Sequence, residues 1–146
     1  MTALLLAGSS LCAAPTHLVD ENVVQHERLA DGTLLLDFGR VGFGNLRVQV
    51  PDSAGGRYTF HLGEAFKDGR INRNPPGTVR YKTFEAELQG GTEAILAPEP
   101  VDRHRSHRKA VKTPEEWGVV TPFRWAEIES WNGAFDPDWV VRQTAY

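Results

Sequence analysis

The 146-residue sequence holds a single cysteine, Cys12, so it can form no internal disulfide and can assemble no cysteine-built metal site. Charge of either sign is not in excess. Sixteen Lys plus Arg face nineteen Asp plus Glu, a formal balance of −3, which gives no sequence-independent grip on nucleic acid or on an acidic membrane. Long apolar runs are lacking too: residues 1–14, MTALLLAGSSLCAA, are too few to span a bilayer as a helix. No stretch longer than about ten residues combines a helical period with caps. G-x-S-x-G, P-loop, dinucleotide and H-E-x-x-H motifs are missing as well, leaving nucleophilic and phosphate chemistry without support.

What is present suits one packed β domain. A hydrophobic content of 40% over this length fills one core and not two. Residues 1–14 have the form of a secretory signal segment, although no Lys or Arg precedes the apolar run and Pro15 follows its small residues. A lipid anchor on Cys12 is disfavoured, because Leu11 stands where a small residue is wanted. The expected organisation is therefore a signal segment over 1–14 and one domain over 15–146, placed in the periplasm or secreted.

Apolar alternation marks the strands. Thr33 to Val50, TLLLDFGRVGFGNLRVQV, carries strand chemistry interrupted at Gly39, Gly42 and Gly44, which suits a sharp turn or bulge. Tyr58, Phe60 and Leu62 alternate after a hairpin turn expected at Ser53 to Gly56. From Thr78 to Leu88 the alternation changes phase between Tyr81 and Phe84, predicting a β-bulge. Thr92 to Ala97 reads as a strand, and Pro98 to Gly118 as a polar loop with the basic run RHRSHRK. Thr121 onward places Phe123 and Trp125 on one face with Arg124, Ala126 and Ile128 on the other, and Trp139 to Tyr146 forms the last strand. Seven or eight short strands with few or no helices predict an all-β antiparallel sandwich or jelly roll, galactose-binding-like in form.

Each candidate site competes with a plain structural role. His104 and His107 have metal-ligand spacing, but Arg103, Arg105, Arg108 and Lys109 around them repel a cation. No metal or cofactor is expected. Glu127 and Glu129 share a strand face by their spacing of two, as solvated residues do. Arg80 in VRY and Arg124 in FRW sit beside aromatics, where a guanidinium can stack on a ring and fork to a carboxylate or to sugar hydroxyls; pairing with a neighbouring acid on the outer face is the plainer role. Trp117, Trp125, Trp131 and Trp139 can offer a sugar platform or fill the core. The strongest local signal is Ala65 to Gly77, thirteen residues without alternation, in which KDGR reads as a tight turn and Pro75-Pro76 stiffens one arm.

Three segments in order, LLLDFGRVGFGNLRVQV, HLGEAFKDGRINRNPPGTVRY and VVTPFRWAEIES, resemble the N-terminal β-sandwich region of bacterial α-L-rhamnosidase-like glycoside hydrolases, family 78 and its relatives. The resemblance covers roughly residues 33 to 130. In that family acidic residues of a downstream (α/α)6 barrel carry out hydrolysis, so it implies a non-catalytic accessory domain, or a fragment, that supports a barrel absent from this chain and shapes its entrance. It also implies that Glu64, Asp68, Arg70, Arg73 and Arg80 lie at the contact or ligand surface, to which Arg124 is added from its aromatic setting. Pro75-Pro76 and the basic run depart from the family pattern. Two alternatives stay open: a free-standing carbohydrate-binding module for rhamnose-containing glycans, and an enzyme relying on carboxylates such as Glu64.

Overall fold

In a computed structural model of the chain, the described residues are 16–98 and 114–146. The segment 1–14, most of the Pro98 to Gly118 loop, His104 and His107 lie outside them. The strands are Leu18–Asn22 (β1), Gln25–Arg28 (β2), Leu34–Gln49 (β3), Gly56–Gly63 (β4), Phe66–Lys67 (β5), Arg70–Ile71 (β6), Tyr81–Leu88 (β7), Glu93–Leu96 (β8), Thr121–Glu129 (β9) and Val140–Ala145 (β10). Among the described residues the only helical elements are three short 3-10 turns.

All eight longer strands join one antiparallel system with the order β1-β10-β3-β9-β4-β7, and β2 and β8 also pair with β3. The 16-residue β3 is the hinge of the fold. Its first half pairs with β2 and β9; its second half keeps β9 as far as Gly44, after a register shift between Asp37 and Gly42, and then pairs with β8 and β10. Leu34, Leu36 and Phe38 before the shift and Leu46, Val48 and Val50 after it enter one core. Tyr58, Phe60, Leu62, Phe123, Ala126, Ile128 and Val140 complete that core from β4, β9 and β10. One continuous antiparallel system wrapped around a single core makes this an antiparallel β-sandwich. Fully burying each large apolar side chain contributes about 1.5–3 kcal/mol.

Several local expectations are corrected. The glycines of β3 do not divide it into separate strands: the bulge expected there is present as the register shift against β9, while Gly42 and Gly44 are places where β10 lies close against the backbone. An added Cβ would come 2.8 Å from the Arg142 guanidinium at Gly42 and 2.3 Å from the Gln143 carbonyl oxygen at Gly44. The Ser53 to Gly56 turn closes no hairpin, because β9 lies between β3 and β4. No bulge occurs in β7, which pairs with β4 in unbroken register; Val79 precedes the strand, and Tyr81 faces outward. In β9 the bulge opposite β3 puts Phe123, Ala126 and Ile128 all into the core. Trp131, at 1% exposure, belongs to the core and packs with Trp139 and Phe135.

Candidate functional site

The outer face of the β4–β9–β7 layer carries a polar network under the 64–80 excursion. Register places His61 opposite Glu127 on β9 and Thr83 on β7, so its ring lies diagonal to Glu129 and Tyr81. The imidazole meets the Tyr81 hydroxyl through Nδ1 at 2.7 Å and the Glu129 carboxylate through Nε2 at 2.8 Å. The Tyr81 ring stacks on it with centroids 5.9 Å apart.

Over this lattice lies a miniature hairpin, β5–β6, in place of an irregular loop. Asp68 and Gly69, with φ of 53° and 81°, form its two-residue turn. Positive φ at both central residues gives the turn whose twist matches a hairpin, and an Asp-Gly pair suits it. Ile71 is buried beneath it, and its backbone N–H donates to Glu127 Oε2 at 3.0 Å. Arg70 donates to Oε1 of the same carboxylate from Nη2 at 2.6 Å and from Nε at 3.2 Å, and its Nη1 reaches Asp31 at 3.2 Å. Arg73 bridges Glu127 and Glu129 at 3.5 and 3.4 Å. Glu127 itself is 0% exposed, which corrects its reading as a solvated residue. A carboxylate so enclosed is tolerable only because both oxygens are engaged by donors and by charge.

The six residues singled out from sequence do not form one site. Arg70 and Arg73 converge on Glu127. Glu64 and Arg80 close the neck of the excursion: the Glu64 N–H donates to the Arg80 carbonyl at 3.2 Å, and the Arg80 N–H donates to the Glu64 carboxylate at 2.5 Å. The Arg80 contribution to that closure is its backbone. Asp68 supplies the turn. Arg124 lies apart, forked to Asp37 through Nε at 2.9 Å and Nη2 at 3.0 Å, with its Cζ 4.5 Å from the Trp125 ring centroid. That fork, with help from the Gly39 N–H, outweighs the upward push of burial and holds the Asp37 carboxyl below its ordinary pKa.

Beside Arg124 opens a groove of about 560 Å³, in the range of small-molecule sites at roughly 300–1,000 Å³. Leu35 floors it, Phe66 from the hairpin and Trp125 from β9 form one wall with ring centroids 5.2 Å apart, and Gln25 and Glu27 of β2 form the other. Phe66 is 44% exposed. The sequence reading missed Asp31, Asp37, His61 and Phe66, and took Glu127 for a solvated residue. The available signal was the loop's own arginines, since cations in an ordered excursion need carboxylates beneath them.

A second buried charge cluster knits β1, β3 and β10. Arg142 is 0% exposed, its Cζ 5.3 and 5.4 Å from the Phe38 and Phe123 ring centroids. Its Nε donates to Glu21 at 2.9 Å and to the Thr144 hydroxyl at 3.0 Å, its Nη1 to the Arg40 carbonyl at 2.8 Å, and its Nη2 to Glu21. Among the described residues no group of three or more His, Cys, Asp or Glu is placed to hold a metal ion.

Comparison with known proteins agrees with this architecture. The model of the bacterial α-L-rhamnosidase concanavalin-like domain matches residues 27–146. No curated protein matches. Among solved structures, an α-L-rhamnosidase from Aspergillus terreus superposes with TM-score 0.60 and 18% identity over 88% of this chain and 13% of its own. A Streptomyces avermitilis α-L-rhamnosidase complexed with L-rhamnose gives 0.61 and 17% over 90% and 11%, and one from Dictyoglumus thermophilum gives 0.58 and 14% over 88% and 12%. The chain thus spans 11–13% of these three enzymes. With the sandwich in common and the match running from Glu27 to the final strand, the chain belongs to the bacterial α-L-rhamnosidase concanavalin-like domain family.

Proposed function

We propose that the chain is the accessory β-sandwich of an exported α-L-rhamnosidase-type glycoside hydrolase, a single domain over 15–146 behind a signal segment over 1–14. It supports an (α/α)6 catalytic barrel and the entrance to its substrate, and performs no hydrolytic step of its own. The observation that carries this reading is the family match over 27–146 in a chain that spans 11–13% of its solved relatives. The site chemistry agrees. Glu127, the most enclosed carboxylate of the outer face, is fully buried and engaged by Arg70, Arg73 and the Ile71 N–H, so neither oxygen faces a substrate. Among the described residues no helix is long and apolar enough to cross a membrane.

Reading the gene beyond Tyr146 and assaying aryl α-L-rhamnoside hydrolysis test the proposal together. The expected result is a helical-repeat barrel encoded in continuation or alongside, hydrolysis by the long product, and none by the purified chain. Turnover by the chain alone, abolished in Glu64→Gln, would overturn it, as would a reading frame continuing into something other than a barrel. The groove beside Phe66 favours a second reading, a carbohydrate-binding module.

A further inference from the structure

We infer that the groove between the β5–β6 hairpin and β2 is a binding site for a neutral pyranose sugar, with Phe66 as its aromatic wall and Arg124 as its fixed hydrogen-bond donor. The inference rests on the carbohydrate-binding reading and does not depend on a barrel.

Three observations converge on it. Phe66 is a large aromatic left 44% exposed, yet it is held in place: its strand pairs with β6, its ring lies against Trp125, and the next strand is pinned to buried Glu127. A rigid exposed ring suits the apolar C–H face of a pyranose, because little conformational freedom is lost on contact. Next, Arg124 is oriented by its fork to Asp37 and its seat over Trp125, and among the described residues its Nη1 has no acceptor. Its charge is offset by Asp37, so the pair presents a directed donor without a strong field, as a hydroxyl wants and an anion does not. Finally, all four residues of β2 are exposed, which sets the Glu27 carboxylate and the Gln25 amide on the facing wall as acceptor and donor for further hydroxyls. A volume of about 560 Å³ accommodates a short glycan terminus.

A protein surface, including a catalytic barrel, is the other occupant to weigh. Against it, the groove is concave and the polar groups of β2 leave it no continuous apolar lining.

The test is calorimetry and saturation-transfer NMR on the whole chain with L-rhamnose, a rhamnose-terminated oligosaccharide, D-glucose and glucuronate. Binding of a neutral sugar in the millimolar range is expected, with signal transferred to ring C–H protons and no preference for the acid. Phe66→Ala is expected to weaken it at least about tenfold, and Glu27→Gln to weaken it less, while Val79→Ala, an exposed change outside the groove, retains it. Sugar binding that survives both Phe66→Ala and Glu27→Gln would sink this site and leave the carbohydrate reading standing. No heat from any sugar at millimolar concentration would sink both. If Phe66→Ala instead releases the chain from a barrel partner and no sugar binds, the groove is an interdomain contact.

Discussion

At the scale of single residues, the fold turns on one guanidinium. Arg142 fills the space created where β3 shifts register, between two phenylalanine rings and against backbone that Gly42 leaves bare. Its five donors are almost all used, which is the condition under which a buried charge is tolerable. Its partner Glu21 shows the consequence. Burial pushes that carboxyl up, but the hydrogen bonds from Thr144 and Arg142, the Arg142 charge and the Tyr146 hydroxyl outweigh it and bring the pKa down to about 2. A group whose folded pKa lies below its unfolded value of 4.5 adds stability that is complete above that value and is lost as pH falls toward 2. Stability is therefore expected to drop between pH 4.5 and 2 by on the order of 2 kcal/mol from this group. In Glu21→Gln that increment should already be missing at neutral pH and the acid slope shallower, measured by urea midpoints across the range. An unchanged slope in the variant would show that other carboxylates govern acid unfolding.

Among the elements, the β5–β6 hairpin matters most, because two-residue strands have no stability of their own. It stands by what lies under it. Removing the anchor in Glu127→Ala leaves Arg70 without its nearest acceptor and the Ile71 N–H unsatisfied. Amide exchange at Ile71 and proteolysis within 65–77 should then accelerate by an order of magnitude or more, at a global cost of about 1–3 kcal/mol. Equal protection in variant and wild type would mean that the prolines, and not the carboxylate, hold the excursion. The pattern of strands was legible where one face is buried: β4 shows Tyr58, Phe60 and Leu62 as a clean period of two, and β10 declared itself by its valines. What was illegible has physical causes. β2 is exposed at every position and offers no alternation to read. Glu127 and Glu129 have the spacing of a solvated face, and only the long-range arrival of Arg70 and Ile71 makes one of them interior. The glycines of β3 signalled something unusual in the backbone but not that a side chain a hundred residues away lies over them.

For the molecule as a whole, the decisive feature is that β10 is an interior strand. It pairs with β1 on one side and with the second half of β3 on the other, and Val140 belongs to the core. β1 reaches the sheet chiefly through β10. A chain ending at Trp139 is expected to lose Arg142, Thr144 and both ladders together, and so to lose cooperative folding altogether, seen as collapsed amide dispersion in NMR. A truncated chain that kept a cooperative thermal transition would show that the β2–β3–β9–β4–β7 layer folds alone.

The same interior strand sets a timetable during synthesis. Leu18–Asn22 leaves the ribosome early, but its partners are residues 141–145, so it waits unpaired for well over a hundred further residues. At about 5–20 residues per second that interval is on the order of ten seconds. Until then Glu21 lacks its partners Arg142 and Thr144, and Phe38 lacks the guanidinium that packs on it. Whatever packs before residues 141–145 are made, the β1 flank can close only after them, in one late step.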